Sequence, residues 1–415
     1  MITDEMREFK NIIKYKVESL DVLFENGDIE TVESGFITHL YIEKDYDNLF
    51  FPIINISMAM DDSIYNRISK ENDTVQFRLK IVKNIYDKDE NFLKFESYCN
   101  KIFRCFINQE NIIKDNKQVD EKKYTENESE SSNYKGNVRN LYLFTEDIIK
   151  CKKIINLSIE SANLSDVIIY LIGDCGIEKL LMTKLDNQCE LSNIIIPNGN
   201  LIETISFLDD LKGFYKKGTT LFFDVDTTYL IDRNALCTSW RKNEVKITHI
   251  HVSNQSGGDS QLNGQYTDKD RKSNHVFTNN GRIDMIGGGV VNDQLVGNKL
   301  TVINSKANSV VDVSTESTQI GEPNKRMLST KINHQFTISN IQTTLEENEC
   351  VCDIAFLGID IDIFTPNKEV LITYEDPEFN KKYSGKYRIT KVQALLKKDA
   401  EELVGEIQVT LKRQK

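Results

Sequence analysis

A mainly β chain with a smaller α+β middle is what this sequence predicts, with a β-barrel near each end. Three observations carry that expectation. Val75, Phe77, Leu79 and Ile81 alternate with Gln76, Arg78 and Lys80, the period-two pattern of a strand with one buried face. Residues 327–415 string together short apolar runs separated by turn residues, the mark of a small barrel or sandwich. Between these ends, two segments change to helical spacing behind clear cap residues.

The elements follow in chain order. Residues 36–41 read as a strand, followed by the turn Lys44-Asp45-Tyr46-Asp47-Asn48. Residues 49–60 come next, with Pro52 pointing to a strand start or an edge. Residues 63–68 suit a short helix, and residues 93–107 another pair of strands, which completes a first barrel over residues 1–108. Residues 109–140 are almost wholly polar and charged, so they bury too little apolar area to order themselves and read as a flexible loop.

Residues 141–241 form the α+β middle. Ser165 is a plausible helix cap, with Val167, Ile168, Leu171 and Ile172 at helical spacing and Gly173 or Gly176 as the stop. Asn200 caps a second helix, and Glu203 stands at the capping-box position. Residues 221–225 and 228–231 then read as a hairpin turning at Asp226-Thr227. Residues 242–326 are a β-rich segment with long polar loops, with candidate strands at 245–252, 286–291 and 299–303. Residues 327–415 give the second barrel, through Phe336, Ile338 and Ile341, then 351–356, 359–364, 370–374, 385–396 and 407–411. In the strand around Ile389, that residue is expected to face the core and Arg388 the polar side.

Composition narrows the function. A chain of 415 residues suggests about two to four domains. A net charge of −12 disfavours stable nucleic-acid binding, which needs a cationic surface. No apolar run is long enough for a membrane span, and the charged start MITDEMREFK is not expected to be a secretory signal. The eight cysteines are dispersed without a C-x-x-C, so reduced thiols and assembly in a reducing cytoplasm are expected.

The chemistry-bearing patterns all have plainer readings. Asp224-Val225-Asp226-Thr227 after an apolar strand resembles the D-x-D-x-T loop of haloacid-dehalogenase-type phosphatases, where one Asp attacks phosphorus and the next serves as acid and base. That chemistry needs the end of a parallel strand, whereas Tyr229-Leu230-Ile231 reads as the return strand of a hairpin, so the pair of Asp is assigned to turn formation. His249 and His251 flank Ile250 and share a strand face, but no further ligand lies in that strand. His39, His275 and His334 stand alone. Asp360 and Asp362 alternate with isoleucines and are expected to face solvent or a partner. No phosphate loop and no G-x-S-x-G occurs. The expectation is a non-enzyme with no catalytic, cofactor-binding or metal residues and no cofactor.

Three segments resemble a known family. These are Phe51-Pro52-Ile53-Ile54-Asn55-Ile56 through Val75-Gln76-Phe77-Arg78-Leu79, Leu201 to Leu208 through Phe214-Tyr215 and Leu221-Phe222-Phe223-Asp224, and Thr365-Pro366-Asn367-Lys368 with residues 384–392. Their order is similar to that of the baseplate central hub proteins of contractile phage tails and phage-tail-like particles, and more distantly to the type VI secretion spike base. The resemblance implies two tail-tube-like β-barrels plus inserted domains, a homotrimer, and a ring that adapts the six-fold tail tube to the three-fold central spike. It implies as partners the tail-tube or tube-initiator protein and the spike protein, with tape-measure and baseplate wedge proteins nearby and no membrane insertion. The place it implies is the tail baseplate of a virion or tail-like particle. A tube-initiator or distal tail protein is the alternative of the same class.

Overall fold

The computed structural model describes residues 10–71, 74–105, 137–233, 245, 247–253, 263–270, 272–278, 299–304, 309–314, 327–329, 351–399 and 401–414. The candidate strand at 286–291, the residues Phe336, Ile338 and Ile341, and most of the 109–140 loop lie outside them.

The chain is mainly β with a smaller α+β middle. The N-terminal part comprises β1 (Ile12–Leu23), β2 (Ile29–Glu33), β3 (Ile37–Asp45), β4 (Ile53–Met60), α1 (Asp62–Lys70), β5 (Gln76–Tyr86), β6 (Phe92–Cys105) and β7 (Asn137–Thr145). The first strand expected was at residues 36–41, but β1 precedes it and is central, because Ile13, Tyr15 and Val17 alternate inward with Lys14 and Lys16 between them. The pattern is period two, with lysines on its outer face. Strand β7 starts at Asn137, inside the polar stretch, and pairs with β4 from Met60↔Asn137 to Ile54↔Leu143.

After β7 the chain enters the α+β insert. It holds β8 (Ile155–Asn163), α2 (Leu164–Asp174), β9 (Leu180–Met182), β10 (Glu190–Gly199), α3 (Leu201–Lys212), β11 (Thr219–Phe223) and β12 (Thr228–Asp232). Asn163 rather than Ser165 is the cap of α2. The α3 capping box forms as expected, with Asn200 Oδ1 accepting from Glu203 N at 3.0 Å and Glu203 Oε2 accepting from Asn200 N at 2.9 Å. Val167, Ile168, Leu171 and Ile172 of α2 and Leu201, Ile205 and Leu208 of α3 build the insert's own core. Each such side chain, fully buried, stabilises by about 1.5–3 kcal/mol.

The remaining strands are β13 (Ile247–Val252), β14 (Gly264–Asp268), β15 (Ser273–Thr278), β16 (Lys299–Asn304), β17 (Ser309–Ser314), β18 (Met327–Ser329), β19 (Val351–Leu357), β20 (Glu369–Tyr374), β21 (Gly385–Asp399) and β22 (Glu402–Arg413), with α4 (Pro377–Tyr383) between β20 and β21. Strands β16 to β18 make a separate small sheet. Residues 385–396, expected as a strand, lie within β21. Residues 359–364 were expected as a strand and contain a 3-10 turn at Ile361–Ile363, capped by Asp360 through Asp362 N.

The long hairpin β21–β22 joins the two β systems. Its distal half closes the N-terminal barrel in the circuit β21-β3-β4-β7-β6-β5-β1-β22. There β21 pairs with β3 from Lys391↔Asp45 to Lys397↔His39, while β1 meets β22 at Tyr15↔Leu403. Its proximal half carries β20, β13, β15 and β14 on one side and β19 on the other. Thr278 Oγ1 of β15 donates to Ala355 O of β19 at 2.8 Å, drawing the ends of this second, curved sheet together. One hydrophobic core runs through both, from Leu20, Phe77 and Phe103 to Ile250, Val276, Phe356 and Val409. Gly405 lies where the hairpin is tightest, since a Cβ there would collide with the Leu395 carbonyl. Because β21 crosses from one system to the other, residues Tyr387, Arg388, Ile389 and Thr390 are all buried. Arg388 therefore does not face solvent, as the alternation suggested, but holds Asp47 through Nη1 at 2.8 Å and Nη2 at 3.0 Å.

Candidate functional site

The hairpin β11–β12 belongs to two cores at once. Its registers Phe222↔Tyr229 and Leu221↔Leu230 put successive side chains on opposite faces. Phe222 and Tyr229 enter the barrel core, with the Phe222 ring edge-on to Tyr46 at 4.8 Å. Leu221, Phe223 and Leu230 enter the insert's core, and Phe51 stacks on Phe223 at 5.1 Å. The tip of this hairpin, residues 224–227, lies over the barrel mouth as a plug.

Asp224 anchors the plug. Its N–H donates to Thr227 O at 3.1 Å and its carboxylate accepts from Val225 N at 2.8 Å, which is the turn role expected from the sequence. Sequence reasoning missed its other partner, Lys44 of β3, which lies 180 residues away and donates to Asp224 Oδ2 at 2.9 Å. Both side chains are less than a tenth exposed. Burial opposes the Lys44 charge, yet the adjacent Asp224 carboxylate holds its pKa well above the ordinary lysine value. Asp226 pairs with Lys101 at 2.9 Å out in solvent. Strand β11 runs antiparallel to β12, so Asp224 does not follow a parallel strand as a D-x-D-x-T nucleophile would.

A second pair completes the mouth. Lys83 of β5 donates to Asp360 Oδ2 at 2.7 Å, and the Tyr15 hydroxyl donates to Asp360 Oδ1 at 3.2 Å while accepting from Ile361 N at 2.8 Å. Asp362 lies 3.9 Å from Lys44 and 3.9 Å from Lys83. Although its side chain is half exposed, partial desolvation first, then the neighbouring Asp360 and Asp224, raise its carboxyl to about 6 against the pull of the two lysines. Burial likewise lifts Tyr15, Tyr46 and Tyr98 well above the usual phenol range. The expected outward role holds for Asp362, whose side chain is half exposed, and is corrected for Asp360. The 3-10 turn breaks the alternation and points Asp360 into the molecule. A cavity of about 210 Å³ remains beneath the plug, between Ile42, Ile54, Leu79 and Ile81 on one side and Lys44 and Asp362 on the other.

The histidines form a separate cluster. His249 and His251 do share a face of β13, and His275, expected to stand alone, lies beside them on the parallel strand β15 in register with His249. His249 and His275 stack at 4.6 Å, and His251 Nε2 lies 3.0 Å from His275 Nδ1. Burial, then the neighbouring His275 and His249, push His251 down to about 3. Among the described residues no group of histidine, cysteine and carboxylate side chains has the geometry to hold a metal ion. Six described cysteines are free thiols. No helix among the described residues is long and apolar enough to cross a membrane.

Comparison with known proteins adds a family. The model of the family described as "Bacteriophage PBS1 gene 109 protein" matches residues 9–414. No curated protein matches. Among solved structures, the tail protein from Neisseria meningitidis MC58 is similar at a TM-score of 0.49 and 10% identity, over 98% of this chain and 97% of that one. The 43 kDa tail protein of prophage MuSo2 from Shewanella oneidensis is similar at 0.47 and 10%, over 95% and 98%. A structure of the Francisella PdpA-VgrG complex is similar at 0.46 and 11%, over 97% of this chain and 58% of that one.

Proposed function

From the premise that the chain belongs to the bacteriophage PBS1 gene 109 protein family, we propose that it is a structural component of a phage tail, and within it the central hub of the baseplate. The observation that carries this reading is the shared hairpin β21–β22, which joins a closed barrel and a second curved sheet in one chain. Two β systems per chain turn three copies into a ring of six, the arrangement needed between a six-fold tube and a three-fold spike. The plugged mouth supports the same reading, because the insert is fixed to the barrel by apolar packing on two faces and by a buried ion pair rather than by a hinge.

On this reading the protein is not an enzyme. Asp224 and Asp226 serve the plug, and neither binds a cofactor or metal. Its partners are further copies of itself, the tube or tube-initiator protein, and the spike. The net charge of −12 suits a wall along which DNA passes without adhering. Copy number tests the proposal. A reconstruction of the particle, or the native mass of the protein with its neighbours, should give three copies per ring. Six copies per ring would reject the hub and favour a tube-initiator or distal tail protein.

A further inference from the structure

We propose that the groove between the insert and the two β systems receives an extended segment of another protein, paired to the open edge of β9, with a lysine or arginine side chain reaching Asp362. The groove measures about 1000 Å³ and is walled by the insert, by residues of β14 and β15, and by the turn after β19. Such a volume is at the top of the range that small-molecule pockets span and suits a length of polypeptide.

Two independent features select the occupant. The first is a strand edge. Strand β9 closes the three-stranded sheet β11-β12-β9, and no described strand pairs with its outer side. Thr228 N donates to Lys179 O at 2.8 Å and Thr183 N donates to Leu230 O at 3.1 Å. The alternation of a parallel ladder then spends the main-chain groups of Leu181 on β12 and turns those of Leu180 and Met182 outward. An extended peptide can complete them by strand addition, with the exposed Ile169 available to its side chains.

The second feature is charge. The cluster at the barrel mouth has three carboxylates, Asp224, Asp360 and Asp362, and two ammonium groups, Lys44 and Lys83. Lys44 is committed to Asp224 and Lys83 to Asp360 at hydrogen-bond distance, so Asp362 is the acid in excess. Its side chain is 48% exposed, and it lines both the groove and the cavity below the plug. Of the other charged groups in the groove, Glu178 and Lys179 offset each other, and Lys368 directs its ammonium to the Asp362 carbonyl at 3.1 Å rather than to the carboxylate. Both ammonium groups stand 3.9 Å from its carboxylate, beyond hydrogen-bond distance, and an incoming cation would supply closer donors.

The test uses the full chain and fluorescein-labelled peptides of alternating valine and threonine with a central lysine, arginine or glutamate, read by anisotropy. The lysine and arginine peptides should bind, and the glutamate peptide roughly tenfold more weakly. Asp362→Asn should abolish that preference at an unchanged melting temperature. Met182→Pro removes one outward N–H and should weaken all three peptides. Should that variant unfold, N-methylation of alternate amides in the lysine peptide tests the same pairing from the ligand side, and should also weaken binding. The proposal is overturned if no peptide binds, if lysine and glutamate peptides bind equally, or if N-methylation changes nothing. None of those results bears on the copy number of the ring.

Discussion

The barrel mouth and the β13–β15 sheet both bury titratable side chains, and they dispose of the charge in opposite ways. At the mouth, Lys44 and Asp224 keep their charges by standing 2.9 Å apart. In the sheet, three imidazoles stack on one another, and burial pushes His249 and His251 below the ordinary histidine value. The first arrangement ties together residues far apart in sequence and locks the insert onto the barrel. The second fills a polar strand face locally, with His251 Nε2 against His275 Nδ1 and Ser273 Oγ 3.2 Å from His275 Nε2. A buried ion pair fails when one partner is removed, whereas a buried neutral pair fails when a proton is added.

The largest effect should follow from breaking the ion pair on one side. Lys44→Met leaves Asp224 charged and enclosed, and should cost about 3–5 kcal/mol in a denaturant titration. Combining it with Asp224→Asn should recover much of that loss, because the double variant carries no stranded charge. A double variant as unstable as Lys44→Met alone would mean that packing, not charge, holds the plug. Arg388→Glu should be comparably severe, since it sets a carboxylate against Asp47, which the guanidinium now holds at about 2 despite its burial.

Acid separates the two regions. His251 has its folded pKa depressed to about 3 from an ordinary 6.5, so its contribution is complete above 6.5 and is lost as pH falls from 6.5 towards 3. The slope from this one group approaches about 1.4 kcal/mol per pH unit in that window. Asp362 has its folded pKa raised to about 6 from 3.8, so its ionised form is disfavoured in the fold and stability rises as pH falls from 6 towards 3.8. His251→Phe, next to Phe277 on which the imidazole already stacks, should flatten the acid limb of a melting-against-pH curve. Asp362→Asn should steepen the same limb slightly and raise stability a little at pH 8, since solvent screens a side chain that is half exposed. If His251→Phe leaves the limb unchanged, the histidine cluster is hydrated in solution and the contrast between the regions fails.

Much of this was written locally and could be read. The alternation at 75–81, the capping box at Asn200 and Glu203, and the turn at residues 224–227 each depend on neighbours within a few positions. What sequence could not supply were contacts set by topology. Lys44 looks like a turn residue until β11–β12 is folded over the mouth. His275 looks solitary until β15 is laid beside β13. Arg388 looks like a solvent residue until β21 is placed between two β systems, where both faces of a strand are covered. For Arg388 the alternation rule was sound and its hidden premise, one wet face, was not. The 3-10 turn at Ile361–Ile363 failed differently, because isoleucines at every second position imitate a strand when a capping Asp intervenes.

The smallest effect expected is the most informative about the D-x-D-x-T resemblance. Asp224 and Asp226 stand two positions apart in one turn, and a catalytic reading makes both indispensable to the same reaction. Their surroundings differ sharply. Asp224 is buried against Lys44, whereas Asp226 and Lys101 are each about half exposed, at 55% and 45%. A surface pair of that kind contributes about 0–1 kcal/mol and is screened by salt. Asp226→Asn should therefore shift melting by no more than a degree or two, and the shift should vanish at high salt. Asp224→Asn should destabilise strongly unless Lys44 is replaced with it. Neither variant should alter phosphate release from a phosphomonoester in the presence of Mg²⁺, because none is expected from the parent protein. Magnesium-dependent release that both substitutions abolish, in protein that still melts cooperatively, would overturn the structural reading of the plug, since a side chain that contributes so little to stability would then owe its place to chemistry.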